Sequence, residues 1–580
     1  MKKSVWIAIS KAFTAVLTVI TAFLFTGGAI AMENTAAISN TLGSKTQIVL
    51  NKETGEEVDT LYYKSKFSSV KQVIENSEKA GENVVAEGSV LLRNVNKALP
   101  FKKGDTISLF SASSINLAVG GGGSSATSAS SLNLKETLTD PSVGLNINED
   151  LWKWYEDNKD TYGRKAGTSI GVAYSIADAK WTDIPEAIKT KKAKSAVFVL
   201  SRLGSENVDI RPNTEGFTPT DGSAGDPTDL KNGNYLEMTD RELDFLRALK
   251  AEKDKGTFES VVLILNMANQ VELGFIDKEE FGVDAAVWCG TLGSTGAKAI
   301  ANILVGSVNP SGRLADTFWT EHRFNPVHAN FGRYSYSGNT IKYGGTHGNN
   351  PAGGSPSKAT MYDHTGVYYV VYQEGIYNGY RYTETRYEDK VLGAENVGEY
   401  DYNSVVKYPF GFGLSYTDFE YSDYSVAYNA ETDCYDVTVK VTNVGEKPGK
   451  EVVQVYLQKP YTDYDKEHGV EKAAVELAGF AKTKILDKGE SQTVTVNVKK
   501  KYFASYDSSC VNPLDETKFG AYILEKGDYY LSVGKDCHDA LNNILAAKGK
   551  TTADGMTDGG DATFAKKMDD VTDNFDSKTY

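Results

Sequence analysis

Cysteine is scarce in this 580-residue sequence. Cys289, Cys434, Cys510 and Cys537 stand apart, without the CxxC or HxxxH spacing of a zinc site. Four cysteines in a chain of this size also exclude a disulfide framework as the source of stability, although a bridge among the last three stays open. Cys289 lies inside an apolar, strand-like run and reads as a buried thiol. A basic stripe is lacking too: the net charge is −15, which excludes nucleic acid as a partner. Phosphate fingerprints are missing. The run Gly120-Gly121-Gly122-Gly123-Ser124-Ser125 has neither the Rossmann spacing nor a Walker lysine, and reads as a flexible loop. No metal and no cofactor are expected.

What is present begins with an export-type N-terminus. Lys2, Lys3 and Lys11 flank an apolar run from Phe13 to Met32, and Ala29-Ile30-Ala31 resembles a small-x-small cleavage site. The run is long enough to span a bilayer if it is not cut. Residues 1–32 are therefore a signal peptide or a membrane anchor, residues 33–65 a polar spacer, and the rest of the chain extracellular or at the cell surface. Membrane contact is expected only through that segment. The 34 tyrosines and 6 tryptophans offer flat apolar faces with polar edges, which suit sugar rings as well as ordinary packing.

From residue 66 to 330 short apolar runs alternate with helical stretches, the signature of a layered α/β domain. Its central run is Ala196-Val197-Phe198-Val199-Leu200, which reads as a strand buried on both faces. The pattern then breaks into Ser201-Arg202-Leu203-Gly204-Ser205-Glu206, which sets a carboxylate just past the C-terminal end of a central strand, where open α/β sheets bind ligands. Leu236 to Lys253 is an amphipathic helix with Thr239 or Asp240 as N-cap; Val261–Leu265 and Asp284–Trp288 are strands, and Gly296–Leu304 is a helix. Residues 331–418 form a loop, over 331–366, and a connector that completes this domain. From 419 to 535 the period changes to two, as in Tyr435-Asp436-Val437-Thr438-Val439-Lys440-Val441, which indicates an all-β sandwich. Residues 536–580 open with one short helix and then read as a polar linker.

Several stretches together carry a family resemblance. Arg202-Leu203-Gly204-Ser205-Glu206-Asn207-Val208-Asp209, Gly306-Ser307-Val308-Asn309-Pro310-Ser311-Gly312-Arg313-Leu314, Glu374-Gly375-Ile376-Tyr377-Asn378-Gly379-Tyr380-Arg381 and Tyr408-Pro409-Phe410-Gly411-Phe412-Gly413-Leu414-Ser415-Tyr416 resemble, in order, family 3 of the glycoside hydrolases. The resemblance covers roughly 66–535. It implies a multi-domain α/β plus all-β architecture: a six-stranded α/β sandwich of the family's C-terminal type, then a fibronectin type III-like domain. It further implies a retaining β-glucosidase acting on β-linked glucosides or oligosaccharides, with Glu206 as acid/base. The sequence departs from the family in two places. Asn207 stands where glycine is common, which makes Glu215 the backup acid. The family's (β/α)8 barrel and its aspartate nucleophile are nowhere in the 580 residues; Ser422-Asp423-Tyr424 echoes the nucleophile motif but lies in the first sandwich strand. Some family members place the barrel last, and this sequence looks like the first part of such a protein. A separate barrel domain is accordingly a candidate partner.

Retaining hydrolysis uses two carboxyl groups about 5–5.5 Å apart, one as nucleophile and one as acid and then base. Glu206 would fill only the second role. Glu374 and Arg381 tempt as site residues, but a structural pair in the connector accounts for them equally well. Tyr377 and Tyr380 read as packing, and Asn309 and Arg313 as turn-fixing residues. Two functions stay open: a β-glycosidase whose barrel is outside this sequence, and a non-catalytic exported carbohydrate-binding or cell-surface protein.

Overall fold

The computed structural model describes residues 3–41, 49–58, 65–120, 131–162, 178–202, 236–330, 372–395, 397–512 and 515–568, with a few isolated residues besides. The chain divides into two compact units, Met1–Ala80 and Gly81–Tyr580. In the first, helix α1 (Lys3–Glu33) buries none of its residues and is long and apolar enough to cross a membrane. The expected irregular spacer contains a short antiparallel pairing of Val49–Leu50 with Glu57–Val58.

The second unit opens on the end of α2 (Val70–Gly88), where Val85 joins the core. Its main sheet has six strands: β1 (Val90–Asn94), β2 (Thr106–Phe110), β3 (Asn146–Ile147), β4 (Ser195–Ser201), β5 (Ser260–Asn266) and β6 (Val283–Trp288), in the order β1-β6-β5-β4-β2-β3. All neighbours are parallel except β1, which runs antiparallel to β6. Every residue of β4 and β5 is buried, because helices cover both faces. On one face Phe198, Leu200 and Leu263 meet Leu151 and Tyr155 of α3 (Glu149–Asp157) and Phe245, Leu246 and Leu249 of α4 (Asp240–Asp254). On the other, Val197, Val199 and Ile264 meet Ile300, Ile303 and Leu304 of α5 (Gly296–Leu304). The layered α/β reading holds, and the helix expected from Leu236 starts at Asp240.

Beyond α5, β7 (Phe318–Trp319) pairs with β8 (Val406–Tyr408), and α6 (Tyr380–Leu392) lies between them in sequence. The sandwich follows. One sheet joins β9 (Phe419–Asn429), β10 (Cys434–Asn443) and β13 (Ser491–Lys499); the other places β11 (Val452–Gln458) between β12 (Glu476–Lys482) and β16 (Tyr529–Gly534). A third pairing joins β14 (Ser505–Val511) and β15 (Phe519–Leu524). Alternate residues of β10, including Val437, Val439 and Val441, enter a shared core with Val453, Val455, Val496 and Leu531. All four cysteines are free thiols, and Cys289 is buried as expected.

The tail departs from expectation. Helix α7 (Cys537–Ala547) buries Leu541, Ile544 and Leu545 against Tyr387 and Val391 of α6, and β17 (Ala565–Met568) pairs antiparallel with β16. Met568 and Val571 enter the sandwich core. The stretch 537–568 is thus packed structure and not a linker. Its strand, Ala-Lys-Lys-Met, is an edge strand whose two lysines face water, so it carries no apolar alternation to betray it.

Candidate functional site

The sequence pointed to the C-terminal edge of the parallel strands, and the structure builds that edge from buried polar groups. Glu206 and Glu215 belong to 203–235 and lie outside the described residues. The residues on either side of that stretch are described. Strand β4 ends at Ser201, and Arg202 follows with its side chain fully buried. Its guanidinium donates two bonds to the Glu242 carboxylate, at 2.8 and 2.7 Å, in the fork geometry that arginine and carboxylate share. The same guanidinium donates to the Ser201 carbonyl at 3.1 Å and the Glu237 carbonyl at 2.8 Å.

Glu242 has a second task. It is the third residue of α4, and its carboxylate accepts from the Thr239 N–H while the Thr239 hydroxyl accepts from the Glu242 N–H, a reciprocal cap. Of the two caps the sequence allowed, Thr239 is the one used. One buried ion pair therefore ties residue 202 to residue 237 and to the start of α4, closing both ends of the stretch that carries Glu206. A buried pair held by this many hydrogen bonds fixes geometry more than it adds stability.

Neighbouring strands end in equally specific contacts. Asn266, at the end of β5, is fully buried; its amide donates to the Ala118 carbonyl at 3.0 Å and the Gly290 carbonyl at 2.8 Å, and its oxygen accepts from the Ala118 N–H at 2.6 Å. It joins the turns that follow β2, β5 and β6. Ser111, just after β2, sits at φ +81°, a region that costs a non-glycine residue strain energy and recurs at functional sites. Its N–H donates to the Tyr155 hydroxyl at 3.0 Å. Beside it the Asp178 carboxylate accepts from the Ala112 N–H at 3.0 Å and the Ala179 N–H at 2.8 Å. Burial pushes the Asp178 carboxyl up to about 6, against the opposing pull of those hydrogen bonds.

Sequence reasoning missed Arg202, Glu242, Asn266, Ser111 and Asp178. The helix-capping pattern Thr239-x-x-Glu242 was the available signal for one of them; an asparagine closing a five-residue apolar run was the signal for another. Glycine run 120–125 falls on the same edge at Gly120, and its remaining residues lie outside the described ones. Among the described residues no cluster of His, Cys, Asp and Glu could hold a metal ion.

The other motifs are structural. A Cβ on Gly312 would collide with the Ser89 carbonyl, and one on Gly413 with the Gly312 carbonyl, so both positions require glycine for close backbone approach. The two segments pair directly: Leu314 N–H donates to the Phe412 carbonyl at 2.9 Å, and Gly411 N–H to the Leu314 carbonyl at 2.8 Å. Asn309 and Arg313 do more than fix a turn. The Asn309 amide oxygen accepts from the Ser415 hydroxyl and the Tyr416 N–H, its nitrogen donates to the Pro448 carbonyl, and Arg313 pairs with Glu451. They stitch the α/β domain to the sandwich. Arg381 lies 3.6 Å from Glu476, so its acidic partner is on the sandwich. Tyr380 stacks on Phe410 with ring centroids 4.5 Å apart, as packing. Tyr377 hydrogen-bonds Glu471 and lines an open cleft.

Comparison with known proteins agrees with this layout. Residues 89–416 match the glycosyl hydrolase family 3 C-terminal domain, and residues 451–537 match a fibronectin type III-like domain. Beta-glucosidase A of Butyrivibrio fibrisolvens is 30% identical over 480 residues, 78% of this chain and 49% of that protein. A beta-glucosidase of Ruminococcus albus is 30% identical over 472 residues, 80% of this chain and 40% of that protein. Among solved structures, a beta-glucosidase from Paenibacillus barengoltzii aligns with a TM-score of 0.61 at 26% identity, over 80% of this chain and 42% of that one. Beta-glucosidase 3B from Thermotoga neapolitana in complex with glucose aligns with a TM-score of 0.57 at 26% identity, over 81% and 53%. The chain spans about half the length of the curated relatives it matches. Because the matched domain takes up more than half of the sequence and coincides with the α/β body built around β4, the chain belongs to glycosyl hydrolase family 3.

Proposed function

We propose that this chain supplies the acid/base half of a retaining β-glucosidase site, with Glu206 as the working carboxyl group. One observation carries the reading: the central buried strand β4 runs directly into Arg202, which Glu242 locks in place four residues before Glu206. A carboxyl group that must protonate a leaving oxygen and later take a proton from water has to be held within hydrogen-bond reach of both. A buried anchor on a rigid strand suits that demand, since small displacements of a reacting group cost orders of magnitude in rate.

In this reading Glu206 gives its proton to the glycosidic oxygen as the aglycone departs. As a carboxylate it then deprotonates the water that attacks the glycosyl-enzyme. The aspartate that forms that intermediate is expected from a (β/α)8 barrel outside these 580 residues, on a longer protein or a separate chain. Substrates are β-linked glucosides or short oligosaccharides. Helix α1 serves as a signal or anchor, which places the domains outside the cell.

The test is reconstitution. The 580-residue chain alone should leave p-nitrophenyl β-glucoside essentially untouched, and adding a family 3 barrel, fused or in trans, should restore hydrolysis. In the restored enzyme Glu206→Ala should lower turnover by about 10²–10⁴-fold, and Glu215→Ala should leave it nearly intact. A crippled Glu215→Ala beside a neutral Glu206→Ala moves the role to Glu215.

A further inference from the structure

A cleft of about 590 Å³ opens where helix α6 and the segment before it meet the sandwich. Its volume is that of a small-molecule site. The described lining includes Tyr377, Tyr382, Asp389, Tyr461 and Glu471. Three tyrosines thus stand around carboxylates. Tyr461 is half exposed. Tyr377 is fixed, its hydroxyl donating to Glu471 and to the Lys472 carbonyl at 3.2 Å.

Carboxylate acceptors line the cleft at Asp389 and Glu471. Among the described residues nothing donates to the half-buried Asp389 carboxylate, and burial followed by the neighbouring Glu388 charge holds that carboxyl above its usual range. The cations nearby have partners besides, although the Arg386 charge still pulls on the Asp389 carboxyl. Lys472 turns its ammonium to Asp465, Glu525 and the Pro460 carbonyl. Arg386 donates to the Val397 carbonyl and lies over the Tyr400 ring. The occupant that answers these groups carries several hydroxyl donors for the carboxylates and apolar C–H faces for the tyrosines. Pyranose rings have both.

We infer that this cleft is a binding site for a neutral gluco-oligosaccharide. The choice of glucose units rests on the β-glucosidase reading above; the cleft itself does not. Bound there, an oligosaccharide would be held at the junction of α6 and the sandwich.

The test is calorimetry and saturation-transfer NMR on the full chain, with cellotetraose and laminaritetraose as probes and spermine as a cationic control. At least one tetrasaccharide should bind. Tyr461→Ala should weaken it about tenfold, and Asp389→Asn about three- to tenfold. Tyr461→Phe, which keeps the ring, should retain affinity within about threefold. Unaltered thermal melts would show that the variants are folded. The inference is overturned if neither tetrasaccharide binds, if both cleft variants bind like the parent chain, or if spermine binds in their place. Sugar binding that is abolished by Glu206→Ala and indifferent to the cleft variants also overturns it, and leaves the acid/base reading standing. A neutral Glu206→Ala in the reconstituted enzyme, with cleft binding intact, defeats only the acid/base reading.

Discussion

The α/β domain and the β-sandwich spend their sequences differently. Strands β4 and β5 are buried along their whole length, so all their residues but the closing Asn266 of β5 are apolar or small, and specificity is left to the strand ends. Strand β10 alternates buried and half-buried residues, and its outward positions carry Asp436, Thr438, Lys440 and Thr442, of which Asp436 and the threonines bond side chains on the flanking strands. The first arrangement concentrates buried polar contacts at one edge: Arg202 with Glu242, Asn266 with three turns, Asp178 beside a strained Ser111. The second has buried polar contacts of its own, at Asn443, which closes β10 and donates to the Lys447 and Leu486 carbonyls, and at Lys472 with Asp465 and Glu525, and these tie its own turns together. A rigid sheet with a polar rim can position a reacting group; a regular sandwich can brace it.

The sharpest break in that comparison comes at the rim. Glu242→Ala strands a buried guanidinium and should cost about 3–5 kcal/mol, read by chemical denaturation, with residues 203–235 becoming the first site of limited proteolysis. Replacing both partners, as Arg202→Met with Glu242→Leu, should recover most of that stability. Recovery of stability without recovery of protease resistance would separate anchoring from folding.

Periodicity offers a second test. In β4, Phe198→Ala should cost about 3–5 kcal/mol, and its neighbour Val197, buried on the opposite face, should also be costly to truncate. In β10, Val437→Ala should cost about 1.5–3 kcal/mol, whereas Thr438→Ala, which loses only an outward hydroxyl contact with Thr495, should stay within about 0.5 kcal/mol. Equal costs at Val437 and Thr438 would contradict the alternation.

A smaller effect is expected from pH at the α6–α7 contact. Burial pushes the Asp536 carboxyl up to about 7. Burial alone would depress the adjoining His538, but the Glu384 carboxylate, 2.8 Å from its Nδ1, outweighs that and raises it. His538 also stacks on Tyr402, and Asp539, Asp558 and Thr557 face it. Both groups hold protons more tightly folded than unfolded. Their contribution is therefore full in acid and is lost as pH rises, for Asp536 from the ordinary carboxylate range up to about 7, and for His538 above the ordinary imidazole range. The melting midpoint should fall by a few degrees between pH 5 and 8. Asp536→Asn keeps an N-cap for the His538 and Asp539 N–H groups but cannot titrate, so it should flatten the slope.

The difference between the two regions also explains what was legible in the sequence. Whole-strand burial at Ala196–Leu200 and clean alternation at Tyr435–Val441 announced themselves, because each period follows from how many faces are covered. Strand β17 did not, because an edge strand with two lysines has no reason to alternate. The seam motifs were visible as strings, yet their meaning was not. Gly312 is a glycine because the Gly88–Ser89 backbone touches it, and Gly413 because the Gly312 backbone does, contacts between segments far apart in the chain. The rim contacts were hidden for the same reason: Arg202 and Glu242 look like two surface charges until the fold buries them together. Glu206 drew notice by its place after a central strand, but position alone fits a solvated surface acid as well, and its acid/base role is what the family resemblance implies.

The central claim is that Glu206 acts as acid and then base in a site completed by a barrel. Chemical rescue tests it most directly. In the barrel-supplemented enzyme, Glu206→Ala should turn over an aryl β-glucoside with a very good leaving group slowly, limited by the second step. Sodium azide should then raise the rate and yield β-glucosyl azide, because a small anion attacks the glycosyl-enzyme without a general base. An unchanged rate with no glycosyl azide, or full activity of Glu206→Ala without azide, would contradict the assignment.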